Sequence, residues 1–191
     1  AYNYTPNFYQ GKSFPIYSTP TEISFELLEN NKLVNLSNYE IRWYLNNTLF
    51  IKGKGLQTIS FVPKNQANTN IVIRIAVVNY KGEELNKLIY IPVKNSELIL
   101  DSPYLTNIVE VGKTYQFKAL PFFFNADNAN NLFFDWTVND QPVISDENPD
   151  VLNLTISTST PSGMEININA TVKNTLSVLE LATKNLKLIV K

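Results

Sequence analysis

Apolar and polar residues alternate along most of this chain, most clearly around its two tryptophans. In "EIRWYLNN", Ile41 and Leu45 lie two positions on either side of Trp43, with arginine and tyrosine between them. The stretch "FFDWTVND" repeats this pattern around Trp136. A period of two residues is typical of a β-strand with one buried face. The pattern therefore predicts two strands that each direct an indole into a core.

The order of apolar stripes and turn clusters in the first half of the chain recurs in the second half. "IVIRIAVVN" is followed by a polar turn and "LIYIPV", and "EININATVKN" is followed by "TLSVLELATKN" and "LKLIV". The pairs Asn46-Asn47 and Asn139-Asp140 are typical turn formers after the tryptophan strands. "NTLSVLELATKN" could be read as a helix, but its position predicts a long hairpin that enters the last strand. A tandem duplication of one β-rich unit explains this order.

About seven short strands per half and a tryptophan in a central strand predict an all-β fold with two tandem immunoglobulin-like β-sandwich domains. Two sheets that pack about 10 Å apart bury one face of each. The chain contains no cysteine, so side chains must fill the space that a disulfide occupies in antibody domains. We expect Trp43, Trp136, Phe25 and Phe117 to form the centres of the two cores.

The domain boundary is expected in the polar stretch "VKNSE", residues 93–97. We assign residues 1–13 to an N-terminal linker, 14–95 to the first domain and 96–191 to the second. Such a short connection favours a stiff pair over two independently tumbling domains. The chain starts at Ala1 without a methionine, and its strand pattern continues to the last residue. We therefore expect it to be a segment of a longer, processed protein.

Composition excludes several classes of function. The chain has no histidine and no cysteine, which rules out a Ser-His-Asp triad, a Cys-His pair and zinc sites built from thiolate or imidazole. Its 16 basic and 17 acidic residues nearly cancel, and the basic residues are scattered, so nucleic acid is not an expected partner. No apolar run approaches the 18 residues of a membrane span. We expect no cofactor, no catalysis and no membrane contact by this segment itself.

Several motifs resemble the PKD-like and other bacterial immunoglobulin-like repeats of secreted and surface-anchored proteins. The shared pattern is a strand ending in Trp-x-Leu/Val-Asn, followed by an apolar strand and a final hairpin. The segments "YTPNFYQGKSFP", "LILDSPYL" and "ALPFFF" are similar to tandem PKD-like repeats in exported proteins of uncultivated small-genome bacteria. The resemblance implies a bacterial, exported protein whose parent chain carries a signal peptide and often a membrane anchor.

Acidic residues cluster in the segment "SDENPD", where Asp146, Glu147 and Asp150 could supply oxygen ligands to Ca²⁺. The corresponding loop of the first half, "IKGKGLQ", carries lysines instead. A duplicated structural calcium site is therefore not expected, and a solvated turn explains the acids more simply. These three residues remain a weak calcium candidate.

Exposed aromatic rings would provide a surface for sugars or for a protein partner. The candidates are Phe122, Phe123 and Phe124 in "PFFF", together with Tyr17. Because consecutive residues of a strand point to opposite faces, at least one of the three phenylalanines is expected in the core. An outward ring would then face a neighbouring domain or a ligand.

These observations predict a non-catalytic extracellular or cell-surface module that acts as a spacer or adhesion-type stalk. Its expected partners are other surface proteins or glycans. The alternative is a carbohydrate-binding accessory module of a secreted hydrolase, which would need an exposed aromatic platform or bound Ca²⁺. A spacer needs neither feature.

Overall fold

The computed structural model describes residues 3–64, 68–102, 104, 106–145 and 148–191, except for the side chain of Val178. The chain forms two compact units. The first unit contains Asn3 and Lys12–Asn95, and the second contains Tyr4–Gly11 and Ser96–Lys191. Residues 4–11, which the sequence analysis assigns to a linker, thus pack with the second unit.

The first unit is a sandwich of a four-stranded and a two-stranded antiparallel sheet. The larger sheet has the order β5-β4-β7-β8, the smaller sheet pairs β1 with β6, and β2 and β3 form a separate hairpin. Its strands are β1 (Thr21–Ser24), β2 (Leu28–Glu29), β3 (Lys32–Leu33), β4 (Glu40–Leu45), β5 (Thr48–Lys54), β6 (Thr58–Phe61), β7 (Asn70–Tyr80) and β8 (Glu83–Pro92).

The second unit repeats this arrangement with longer sheets. One sheet has the order β10-β16-β15-β12-β13, and the other has the order β14-β11-β9. A 3-10 turn at Ala129–Asn131 precedes β12. The strands are β9 (Glu97–Asp101), β10 (Ile108–Val109), β11 (Thr114–Phe122), β12 (Leu132–Val138), β13 (Gln141–Val143), β14 (Val151–Thr155), β15 (Glu165–Asn174) and β16 (Ser177–Val190).

Equivalent strands occupy equivalent places in the two units, and each unit is an immunoglobulin-like β-sandwich. The tryptophan strands β4 and β12 each lie between the next hairpin strand and a long strand, β7 or β15. Strand β10 pairs in parallel with β16, and a parallel bridge between Ile16 and Lys94 occupies the corresponding place in the first unit. The predicted all-β fold class is confirmed.

The cores form around the predicted aromatic residues. Trp43, Trp136 and Phe117 are buried, with at most 3% of their surface exposed. Phe25 is only partly buried, because it lies just after the end of β1, but its ring meets Trp43 edge-on at 5.6 Å. Packed side chains thus fill the centre of each sandwich, as expected for a chain without cysteine.

Asparagine closes the hairpin after each tryptophan strand. Asn46 and Asn139 have φ angles of +47° and +49°, a left-handed conformation that asparagine tolerates better than most residues. The backbone N–H of Asn46 donates to the carbonyl of Val72, and the side-chain Oδ1 of Asn46 accepts from the N–H of Val72. Asn139 makes the same two bonds with Asn167. The asparagine of the Trp-x-Leu/Val-Asn motif therefore ties the hairpin to the neighbouring long strand.

The segment "NTLSVLELATKN", whose sequence could also be read as a helix, forms part of a hairpin. Strand β15 ends at Asn174 and β16 begins at Ser177, and the two pair antiparallel along almost their full length. The prediction of a long hairpin that enters the last strand is confirmed. A helix that could span a lipid bilayer is absent from the part of the chain that the structure describes.

Candidate functional site

The three consecutive phenylalanines of "PFFF" do not form an exposed platform. Phe122, Phe123 and Phe124 are 8%, 6% and 0% exposed, so the expectation of outward-facing rings is corrected. Simple alternation fails because β11 ends at Phe122 and Phe123 adopts a φ of +59°. This left-handed residue changes the direction of the chain, so that adjacent rings can all be buried. Tyr17, the fourth aromatic candidate, is 60% exposed.

A polar network surrounds the left-handed Phe123. The hydroxyl of Ser96 donates to the carbonyl of Phe123 and lies 2.7 Å from Oε1 of Glu180. The same carboxylate oxygen accepts from the N–H of Asn125. The amide of Asn174, which is only 2% exposed, donates to the carbonyl of Asn125 and to Oε2 of Glu180. A bulky residue at positive φ is costly by about 1–3 kcal/mol, and these bonds offset that strain.

The N-terminal segment Tyr4–Gly11 packs against this part of the second unit. The N–H of Tyr4 donates to the carbonyl of Phe124 at 2.7 Å, and the ring of Tyr9 stands edge-on to Phe122 and Phe123 at 5.5 and 5.9 Å. A Cβ atom at Gly11 would lie 2.3 Å from the ring of Tyr9. Gly11 therefore allows the tyrosine ring to cover its backbone.

A cavity of about 560 Å³ lies within the second unit, between this N-terminal segment and the sandwich. Tyr4 and Phe8 line it from the segment, and Lys118, Phe134 and Asp150 line it from the sandwich. Its size falls in the range of small-molecule sites, which combine apolar walls with a few polar groups. Burial, and to a lesser extent the carboxylate of Asp150, raises the pKa of Tyr4, so its hydroxyl remains a neutral hydrogen-bonding group at neutral pH.

The acidic candidates for a calcium site are only partly described. Asp146 and Glu147 lie outside the described residues, so the proposed site stays a prediction. Asp150 is 3.6 Å from the ammonium group of Lys118, and a carboxylate next to a cation is a poorer metal ligand. Within the described residues, no group of three or more acidic side chains could hold a metal ion.

The outer face of the sheet β5-β4-β7-β8 carries an unusual row of side chains. Cross-strand register places Leu49, Tyr44, Arg74 and Leu88 side by side, one from each strand. The guanidinium carbon of Arg74 lies 3.5 Å from the centroid of the Tyr44 ring, a cation–π contact. Leu49 and Leu88 are 47% and 46% exposed, and Tyr90, on the next row of β8, is 61% exposed. This row is therefore apolar, with one stacked cation at its centre, whereas the next row of the same face is mostly polar and consists of Lys52, Arg42, Ala76 and Asn86.

Reasoning from the sequence did not single out Arg74. The available signal was its place in "IVIRIAVVN", where it is the one charged residue of a strongly apolar strand. Alternation puts it on the face opposite the core. However, its pairing with Tyr44 and Leu88 depends on strand register, which becomes visible only in the assembled sheet.

The last passage of the chain from the first unit to the second, at Asn95, is short, and the residues on both sides of it are hydrogen-bonded. In the first unit, the N–H of Lys94 donates to the carbonyl of Pro15 at 2.9 Å. In the second unit, Ser96 bonds to Phe123 and Glu180. Asn95 is the one residue between these two anchored positions.

Comparison with known proteins finds similarity at the level of three-dimensional structure alone. No family model matches the chain, and no curated protein matches it either. The fibronectin(III)-like modules of CbhA from Clostridium thermocellum are 14% identical, with a TM-score of 0.37 over 98% of this chain and 93% of that chain.

Two other similar structures are longer than this chain. Sidekick-1 immunoglobulin domains 1–4 are 16% identical, with a TM-score of 0.35 over 98% of this chain and 52% of that chain. The SGBP-B protein of a mixed-linkage glucan utilization locus in Bacteroides ovatus, solved with a mixed-linkage heptasaccharide, is 12% identical, with a TM-score of 0.30 over 100% of this chain and 46% of that chain. At these values the assignment of an immunoglobulin-like fold rests on the strand order and register described above.

Proposed function

We propose that this chain is a non-catalytic structural and interaction module of the cell surface or the extracellular space, and that its two domains act as a spacer. The observation that carries this proposal is the connection at Asn95. Its two neighbours, Lys94 and Ser96, are each hydrogen-bonded within their own unit, so only one residue lies between anchored positions. Flexible linkers need several residues without fixed contacts. A one-residue connection with anchored ends restricts the motion of one domain against the other, as a spacer requires.

The spacer proposal is tested by measuring the distribution of distances between the domains. Because the chain has no cysteine, the pair Lys32→Cys and Ser162→Cys gives one exposed spin-label site in each unit. Pulsed electron paramagnetic resonance should give a narrow distance distribution. Insertion of Gly-Ser-Gly-Ser after Asn95 should broaden it, and a second insertion after Gly11, where the chain also passes from one unit to the other, should broaden it further.

Two single substitutions refine this test. Ser96→Ala removes the bonds to Phe123 and Glu180 and should broaden the distribution in part. Ser60→Ala, at an exposed position of β6, serves as the control and should leave the distribution unchanged. A wild-type distribution as broad as that of the insertion variant would contradict the spacer proposal.

The second candidate function is a carbohydrate-binding accessory module of a secreted hydrolase. The cavity beside Tyr4, Phe8 and Phe134 favours it, because aromatic rings and hydrogen-bonding groups share its walls. Binding to a glycan array, with and without added Ca²⁺, tests this function. Phe134→Ala should abolish sugar binding, while Phe133→Ala, at the exposed neighbouring position of β12, should not. An absence of binding to the array, or equal binding by both variants, would exclude it.

A further inference from the structure

We propose that one part of the outer face of the sheet β5-β4-β7-β8 binds an acidic segment of a partner protein, with Arg74 as the central contact. We name this surface the Arg74 face and define it by Leu49, Tyr44, Arg74, Leu88, Val72 and Tyr90. The inference deepens the proposed interaction role and rests on it. It specifies the surface that is used and the chemistry of the partner.

Arg74 is held in position but has no carboxylate partner among the described residues. Its guanidinium carbon lies over the Tyr44 ring at 3.5 Å, and one N–H donates to Oδ1 of Asn86 at 3.0 Å. None of the ion pairs among the described residues includes Arg74. The other arginine, Arg42, lies 2.6 Å from Glu40 and 3.8 Å from Glu84. A guanidinium group has five N–H donors in a planar fork that fits a carboxylate, so Arg74 keeps donors for an external acid.

The second unit contains a similar row of side chains at a different position in its sheet, and an acidic residue lies on the neighbouring row. Cross-strand register places Phe133, Lys173 and Leu181 side by side, and the ammonium group of Lys173 lies 5.9 Å from the centroid of the Phe133 ring. Asp135, two residues after Phe133 on the same strand, forms an ion pair with Lys173. In the first unit the position two residues after Tyr44 is Asn46, whose side chain bonds to Val72. Among the described residues, the Arg74 face therefore has the ring, the cation and the leucine without a carboxylate, because the nearby Glu40 and Glu84 pair with Arg42 instead.

The fold itself does not require an apolar row at this position. The residues equivalent to Tyr44, Arg74 and Leu88, aligned through the tryptophans, are Thr137, Asn169 and Asn185. These polar residues support the same sheet in the second unit. Tyrosine and arginine are enriched among the residues that supply most of the binding energy at protein interfaces, and the exposed leucines add apolar area around them. If the first unit alone binds a partner here, its row should be apolar while the equivalent row of the second unit is polar, as observed.

Charge complementarity and apolar surroundings identify the partner as a protein segment. A carboxylate would pair with Arg74, and apolar side chains beside it would pack on Leu49, Leu88 and Tyr90. Sugars bind mainly by stacking and by hydrogen bonds from many hydroxyl groups. Asn86, on the neighbouring row, is already engaged with Arg74 and Glu84, and the aliphatic side chains of the Arg74 face offer few hydrogen-bonding groups. An aspartate or glutamate next to leucine or an aromatic residue fits the face better.

The proposal is tested with a displayed library of random peptides, selected on the whole chain and counter-selected on the Arg74→Gln variant. Enriched peptides should carry an aspartate or glutamate beside an apolar residue. A synthetic version of the strongest peptide, and its matched form with asparagine or glutamine in place of the acid, are then titrated by fluorescence polarisation. Loss of the acid, or the Arg74→Gln substitution, should each weaken binding at least roughly tenfold.

Two further variants separate a specific contact from a general effect of charge or stability. Lys173→Gln removes the same charge from a cation that already has Asp135 as a partner, and binding should change less than about twofold. Arg74→Lys keeps the charge but loses the planar fork, and its affinity should lie between those of wild type and Arg74→Gln. Circular dichroism melting confirms that each variant is folded.

Several results would overturn the inference. Peptides without acids, an equal effect of Lys173→Gln and Arg74→Gln, or no enrichment over the Arg74→Gln chain would each do so. Arg74-dependent binding of acidic glycans without any peptide would exclude a protein partner. The distance measurement across Asn95 does not involve this face, so failure here would leave the spacer role standing.

Discussion

The indole N–H of Trp43 donates a hydrogen bond to the carbonyl oxygen of Leu56, 2.8 Å away and 13 residues later in the chain. Trp136 donates in the same way to Pro149, 3.0 Å away and also 13 residues later. Each acceptor lies two residues before the next strand of the opposite sheet, β6 or β14. The indole therefore fills the core and also holds the loop by which the chain crosses between the sheets.

Replacement of either tryptophan by phenylalanine should destabilise its own unit. The substitution removes buried volume and leaves a carbonyl without its donor, at a combined cost of roughly 2–4 kcal/mol. Urea unfolding followed by circular dichroism measures the change, and the remaining tryptophan reports by fluorescence on the other unit. Losses below about 1 kcal/mol for both Trp43→Phe and Trp136→Phe would contradict the proposed double role of the indole.

Asn46 should tolerate glycine better than alanine. Asn46→Gly keeps the left-handed backbone but loses the side-chain hydrogen bond to Val72. Asn46→Ala loses the same side-chain bond and also strains the turn. The difference between the two variants should be about 1 kcal/mol in the free energy of unfolding. Asn139→Gly and Asn139→Ala should show the same order, because Asn139 makes the equivalent bonds. Equal stability of the glycine and alanine variants would show that the backbone of the turn is not strained.

Gly11→Ala should detach Tyr9 from the phenylalanines beneath it. The added methyl group would overlap the tyrosine ring, so the ring must leave its edge-on contacts with Phe122 and Phe123. Each aromatic pair contributes about 0.5–1.5 kcal/mol beyond simple burial. Cleavage of residues 4–11 by a protease should become faster in Gly11→Ala and in Tyr9→Ala to a similar extent. Gly163→Ala, where nothing lies near the added atom although φ is +84°, controls for backbone strain and should leave cleavage unchanged.

The ion pair between Glu29 and Lys81 should make the first unit sensitive to acid. Hydrogen bonds from Lys81, and secondarily from Tyr80, hold the pKa of Glu29 below its ordinary value of 4.5. The contribution of a carboxylate with a lowered pKa is present above the pKa of the unfolded state and is lost as pH falls through the folded value. The melting temperature of wild type should thus exceed that of Glu29→Gln at pH 7, and the difference should shrink on acidification below about pH 4.5. Glu83→Gln, next to the same turn but without an ion pair among the described residues, should show no such trend.

Alternation around the tryptophans was sufficient to predict the buried indoles and the fold class. The two-residue period follows from the geometry of a single extended strand, so it can be read without knowledge of the strand's neighbours. The duplication strengthened this prediction, because the same pattern around Trp43 and Trp136 implied the same sandwich twice. The Trp-x-Leu/Val-Asn motif was visible as well, but the bonds of Asn46 and Asn139 to the next long strand were not.

The aromatic cluster shows where the same reasoning stops. Alternation allowed one or two of Phe122, Phe123 and Phe124 to be buried, yet all three are. The left-handed turn at Phe123 is supported by Ser96 and Glu180, which are 27 and 57 residues away in the chain. A strand pattern cannot contain this information, since it describes only neighbours in sequence.

By itself, the sequence determined the duplicated β-strands, the residues at their buried faces and the absence of histidine and cysteine chemistry. The tertiary structure decided that residues 4–11 pack on the second unit and that Asn95 is the one residue between anchored ends. It also decided that the guanidinium group of Arg74 stacks on the Tyr44 ring with no carboxylate partner among the described residues. The division has a physical reason. Strand formation depends on local backbone stereochemistry and short-range hydrophobic pattern, whereas these contacts depend on strand register and on hydrogen bonds between distant parts of the chain.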